Sequence, residues 1–219
     1  MSDNQQHAFY YTGTLEQNFW GHIFEELYKS QIYNPYLPLN KLGSVALDIG
    51  ANVGLVTEFL SRHFEKVYSL EPSTDHFNNL SLLVNGCVIN EGGKFIEIDP
   101  LPNVEIVKKA LFMENGQFMF GGPKNNTTMR SLHMATWQEG KPEEKVETIT
   151  LEKLFEDYAI EHVNLLKLDV EGSEQEILAH PSFKNVADRI DTIIVERHNW
   201  SGRHPNQLNE ALKNAGFTL

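Results

Sequence analysis

The short apolar run Val45 to Ile49 leads into Asp48-Ile49-Gly50-Ala51-Asn52-Val53-Gly54, and an amphipathic stretch follows at once. A strand that turns through two glycines into a helix is the opening unit of a sheet with crossover connections. Gly50 and Gly54 let the backbone turn tightly and approach a ligand closely. The spacing is not the dinucleotide fingerprint G-x-G-x-x-G, because Asn52 stands at its second glycine and the last interval is short. That fingerprint seats a pyrophosphate on a helix N-terminus. Asp48 at the strand end would repel a pyrophosphate and instead suits an amine or a sulfonium.

The pattern repeats along the chain. Leu55 to His63 carries apolar residues at Leu55, Val56, Phe59 and Leu60, one face of a helix. Lys66 to Leu70 reads as a second strand, and Ser73 or Thr74 can cap a helix to about Val84. Val104 to Leu111, Asn164 to Val170 and Asp191 to Glu196 read as further strands. Gly172 to His180, stopped near Pro181, and Gln207 to Ala215 read as helices. Strands alternating with helices predict an α/β fold, a doubly wound and mostly parallel sheet with helices on both faces. Residues 116–150 break the rhythm and predict an antiparallel excursion. The chain closes on Gly216-Phe217-Thr218-Leu219, where a strand is expected to begin at Phe217; the C-terminal edge of the sheet is then incomplete.

At 219 residues the chain has the length of one large domain. We expect residues 1–40 to form an N-terminal helical segment and 41–219 the main domain. Thr14 and Gln17 have capping-box spacing, and Phe19, Trp20, Ile23, Phe24, Leu27 and Tyr28 give an aromatic helical face. That face packs on the domain, or serves as a lid or as a homodimer contact.

Charge and cysteine content narrow the partners. Eighteen basic against thirty acidic residues give a net charge of −12, with no basic patch. This argues against nucleic acid. No apolar run is long enough to span a bilayer, and no signal peptide is visible in MSDNQQHAFYYTG. Cys87 is the single cysteine, which points to a reducing, cytoplasmic setting.

Three more clusters carry chemistry. Glu71 follows Asp48 by twenty-three residues at the end of the second strand, with Pro72 fixing the chain just after it. An acidic residue at that interval can accept both hydroxyls of a ribose. Lys167-Leu168-Asp169-Val170-Glu171-Gly172-Ser173-Glu174 ends another strand, and Lys167 and Asp169 share a face of it. A lysine in an apolar strand needs a partner, so a structural ion pair is the plainer reading. Glu196-Arg197-His198 reaches the same rim, and His198 titrates near neutrality. The spacing of Asp169, Glu171 and Glu174 matches no metal pattern, so no metal is expected.

Taken in order, ALDIGANVGLVT, YSLEPS, VETITLEKLF, LLKLDVEGSEQEIL and IIVERH resemble the FkbM family of S-adenosylmethionine-dependent methyltransferases, from about Val45 to His198. The resemblance implies a class I methyltransferase, Rossmann-like fold and O-methylation of a hydroxyl on a sugar or small natural product. It implies S-adenosyl-L-methionine as cofactor, with Asp48, Gly50, Ala51, Asn52 and Gly54 bordering its methionine part. Glu71 and Pro72 would take the ribose, and the segment around Ala110 would flank the adenine. Asp169, which also borders the cofactor, would line the reaction centre with Lys167 and Glu171. Asp169 or His198 would take the acceptor's proton, with Lys167 orienting the oxygen. A macromolecular acceptor, protein or RNA, and a non-catalytic cofactor-binding role are the alternatives.

Overall fold

The computed structural model describes residues 27, 29–91, 94–122, 132, 141–198 and 205–219. Among them, five strands form one parallel sheet: β1 (Val45–Ile49), β2 (Lys66–Leu70), β5 (Val104–Val107), β9 (Val163–Leu168) and β10 (Ile190–Val195). Their order is β10-β9-β1-β2-β5. The chain moves outward from β1 to β2 and β5 on one side, then returns to lay β9 and β10 on the other. The doubly wound expectation holds, and the reversal falls between β1 and β9, where open α/β sheets bind their ligands.

Side-chain alternation divides the core. On one face Leu47, Ile49, Leu166 and Leu168 join the cluster around Leu154, Phe155, Ile177 and Phe183. That cluster engages α3 (Leu151–Asp157), α4 (Glu174–Ala179) and α6 (Pro205–Asn214). On the other face Ala46, Val67 and Leu165 meet Phe59, Leu60 and Leu80 of α1 (Leu55–His63) and α2 (Thr74–Asn85). Both faces are sealed, which is why these strands read as nearly unbroken apolar runs. Two charged residues on the second face, Asp48 and Lys167, are partners in the β1–β9 register.

Several expectations need correction. The run Val104 to Leu111 is two strands, because the chain leaves the parallel sheet at Lys108-Lys109. Its second part, β6 (Ala110–Leu111), joins β7 (Gly116–Gly122) and β8 (Lys141–Ile149) in a separate sheet of order β6-β8-β7. The antiparallel excursion is borne out by β7 against β8, with an irregularity at Phe120/Gly121. A hairpin of β3 (Cys87–Glu91) and β4 (Lys94–Ile98) was not foreseen. The helix Glu174–Ala179 does stop just before Pro181, as expected, and Pro181 also opens the short α5 (Pro181–Lys184). No strand starts at Phe217; its ring stacks on Phe183 at 6.1 Å instead.

Of the N-terminal segment, Leu27 and Tyr33 are buried in the α1–α2 core, and Tyr33 lies 6.0 Å from the Phe59 ring. The proposed cap at Thr14 and the aromatic face from Phe19 to Phe24 lie outside the described residues. Among the described residues no helix is long and apolar enough to cross a membrane.

Candidate functional site: a cleft at the carboxyl ends of the strands

The parallel ladder continues one residue past the strands and sets the site residues side by side. Gly50 and Ala51 donate to Leu70 O, Glu71 to Val107 O, Asp169 to Ile49 O and Glu196 to Leu168 O, all within 2.9–3.1 Å. Above this rim lies a cleft walled by Gly50, Asn52, Glu71, Pro72, Ala110, Asp169 and Glu171 among others.

The turn after β1 is shaped by the protein's own backbone. Gly50 has φ +79°, and a Cβ there would sit 1.7 Å from the Asp169 carbonyl oxygen. The glycine therefore lets β1 and the end of β9 touch, and only secondarily lets a ligand approach. Gly54, at φ +98°, would drive a Cβ to 2.7 Å from Leu80 Cδ1 and 2.8 Å from Leu83 Cδ2. It serves the packing of α1 on α2. Asn52 adopts φ +53°, and its Oδ1 is buried with no hydrogen-bond partner among the described residues.

Glu71 is 4% exposed, yet faces the cleft. Its Oε2 accepts from Asn52 N and its Oε1 from Ser73 N, both at 2.8 Å. His76 Nδ1 lies 3.8 Å from Oε1. Ser73 holds the N-cap position of α2 without a side-chain cap bond. A carboxylate so fixed keeps lone pairs for hydroxyl donors.

Asp48 and Lys167 lie beneath the cleft rather than in its wall. Asp48 is fully buried, with Oδ2 accepting from Thr57 Oγ1 at 2.6 Å. Lys167 Nζ donates to Gly50 O at 2.9 Å and pairs with Asp169 Oδ2 at 3.2 Å and Asp48 Oδ1 at 3.4 Å. Burial alone would lower the lysine's pKa, but Asp169 and Asp48 hold the ammonium well above the usual lysine range. Its three donor directions are taken, so the side chain ties β1 to β9. Ala51 is buried and Gly54 faces α2; neither lines the cleft.

At the ends of β9 and β10, acids crowd one imidazole. His198 Nδ1 lies 2.9 Å from Glu174 Oε1, and Nε2 lies 3.1 Å from Glu171 Oε2. Asp169 Oδ1 and Glu196 Oε1 each stand 3.9 Å from Nε2. Glu174 in turn accepts from the amides of Val170 and Gly172 at 3.1 Å. Burial pushes the Glu171 carboxyl up to about 8, against the pull of His198. Burial works to lower His198, but the Glu174 hydrogen bond and the neighbouring carboxylates carry it up to about 9.

Residues 48–219 match the model of the Methyltransferase FkbM domain. The chain belongs to this family of methyltransferases. It is also similar to the methyltransferase sdnD of Sordaria araneosa, 24% identical over 246 aligned positions that span 97% of this chain and 86% of that one. The solved FkbM methyltransferase of Methylobacillus flagellatus KT aligns with 78% of the chain at 13% identity and a TM-score of 0.48. The chain spans 37% of that protein's length.

Sequence reasoning missed one wall of the methyltransferase cleft. Phe120 of β7 and Leu132 line it opposite Glu71, together with Leu111, and pack with Ala110 and Val146. Apolar residues in the excursion carry no motif; only their place beside Ala110 after folding marks them.

Proposed function

We propose that the chain is an S-adenosyl-L-methionine-dependent methyltransferase that methylates a hydroxyl of a sugar or small natural product. One observation carries the cofactor assignment: a buried carboxylate at the end of β2, pinned by two backbone amides, faces a cleft at the sheet's reversal point. When bound, the cofactor supplies a methyl group on a positively charged sulfur.

The residues present fit that group. Glu71 accepts the two ribose hydroxyls. Leu111, Phe120 and Leu132, with Ala110 and Pro72, form an apolar slot of the kind an adenine ring fills. Gly50 and Asn52 border the methionine portion, and the unpartnered oxygen of Asn52 suits an ammonium donor. Asp169 would place negative charge beside the sulfonium. Lys167 positions Asp169 and the Gly50 turn. The acceptor enters at Asp169 and Glu171, and Asp169 receives its proton while His198 holds the two carboxyl groups in place. Proximity and alignment can supply on the order of 7–11 kcal/mol of such a displacement.

The net charge of −12 and the acids lining the cleft favour a small acceptor over nucleic acid. The lone Cys87 supports a reducing, cytoplasmic setting. Calorimetric titration with S-adenosylmethionine and its demethylated product tests the reading. Binding in the micromolar range (about −8 kcal/mol) is expected for the native chain and its loss for Glu71→Ala. A folded native chain that binds neither molecule would overturn it.

A further inference from the structure

The imidazole of His198 is held in the way a metal ligand is held. Its Nδ1 is fixed by Glu174, a residue 4% exposed that is itself anchored by two backbone amides. That carboxylate–imidazole pair sets the ring orientation and turns Nε2 outward, the arrangement that supports metal-bound histidines. Nε2 then faces Asp169, Glu171 and Glu196.

Ligand atoms of Asp169, Glu196 and His198 all lie within 4.8 Å of one another. A small divalent cation bound at about 2.0–2.2 Å holds neighbouring ligand atoms about 3 Å apart, so side-chain rotation closes the set. Asp169 Oδ1 is sealed from solvent and has no hydrogen-bond partner among the described residues. A buried carboxylate oxygen left in that state calls for an unseen water or ion.

We propose that Asp169, Glu196 and His198 bind a divalent cation at the rim of the cofactor cleft. One nitrogen and two carboxylates suit hard or borderline ions such as Mn²⁺, Mg²⁺ or Zn²⁺. The Nε2–Glu171 contact gives way as the ion binds, and the proton is released to solvent. Asp169 also lines the cleft, so the ion meets whatever oxygen enters there. For a hydroxyl acceptor it would hold the oxygen as a Lewis acid and ease loss of its proton, leaving Glu171 to receive it. This last step rests on the methyltransferase reading; the ion site does not.

The test uses the chelator-treated full chain and Mn²⁺, with free Mn²⁺ followed by its paramagnetic resonance signal and no cofactor present. One ion per chain is expected, with a dissociation constant on the order of 1–100 µM. Glu196→Gln should weaken it by about 100-fold, since loss of even a supporting group costs about 10–100-fold. The Glu196 side chain is 63% exposed, so this variant keeps the fold. Asp169→Asn should do the same. Binding that survives both substitutions unchanged would overturn the site, as would no Mn²⁺, Mg²⁺ or Zn²⁺ binding below millimolar levels. S-adenosylmethionine titration of the same sample separates the two readings. Cofactor binding without ion binding removes the ion site alone, and ion binding without cofactor binding removes the methyltransferase reading alone.

Discussion

At the end of β2 each oxygen of Glu71 meets a backbone amide, whereas at the ends of β9 and β10 four carboxylates surround one imidazole. Both rims are acidic, but their chemistry differs. Fixed dipoles satisfy the first, so it offers rigid acceptor sites to neutral hydroxyl groups. The second gathers four carboxyl groups around one imidazole, so on the proposed reading it attracts cations and can move protons. On the same proposed reading, binding and reaction are separated across the cleft, and Lys167 and Gly50 join the two halves from below.

The largest effect is expected where the halves touch. Gly50→Ala places a methyl group 1.7 Å from a backbone carbonyl at a positive φ, and no rotamer can relieve it. We expect a loss above about 4 kcal/mol, the range single substitutions seldom reach, seen as a collapse of the urea midpoint. A native midpoint would mean that the two rims are not pressed together at Gly50.

Lys167→Met comes next. It leaves Asp48, fully buried, without its counter-ion, which should cost about 3–4 kcal/mol. Adding Asp48→Asn removes the stranded charge and should recover about 1–3 kcal/mol, a coupling read from the double-mutant cycle by urea unfolding. Additive losses would show that the ammonium serves Asp169 rather than the β1–β9 seam.

How much of this was legible in the sequence follows from where each residue's partners come from. The parallel strands were readable because both faces are buried and the runs are apolar. Glu71 and Asp169 were readable because each follows a strand end, and strand ends share one rim; Asp48 and Lys167 stood out as charges in apolar strands but lie beneath that rim. The break after Val107 was not, because a two-residue strand beyond Lys108-Lys109 looks continuous with β5. The β3–β4 hairpin was hidden in CVINE and KFIEI, half-polar segments that pair only with each other. That Asp169 and Glu196-Arg197-His198 share a rim was readable from their strand ends. The approach of the Asp169, Glu196 and His198 ligand atoms to within 4.8 Å of one another was not, and Glu174 gives no sign in the chain that it will fold back onto Val170 and Gly172.

The comparison of rims sharpens with a matched pair of substitutions. Glu71→Gln should weaken S-adenosylmethionine by about 10–100-fold, or about 1.4–2.8 kcal/mol, because charge-assisted acceptors are lost. Glu171→Gln should change the same affinity by less than about threefold, since that carboxyl faces the acceptor side. Equal losses by calorimetry would erase the division of labour.

The smallest effect is expected at the seam between the excursion and α2. Glu144 of β8 accepts from Thr74 N at 3.1 and 3.3 Å and from Thr74 Oγ1 at 2.7 Å, so a strand of one sheet caps a helix of the other. Lys108 Nζ donates to the same hydroxyl at 2.9 Å. Glu144→Ala removes a cap and should cost about 1 kcal/mol of stability. The Glu144 side chain bonds Thr74, outside the cleft wall, while only its backbone pairs with Phe120, so cofactor affinity should move by less than about threefold. A loss of tenfold or more would show that this seam holds Phe120 and Leu132 in register over Ala110. The cleft would then depend on a third region, the excursion sheet, as much as on either acidic rim.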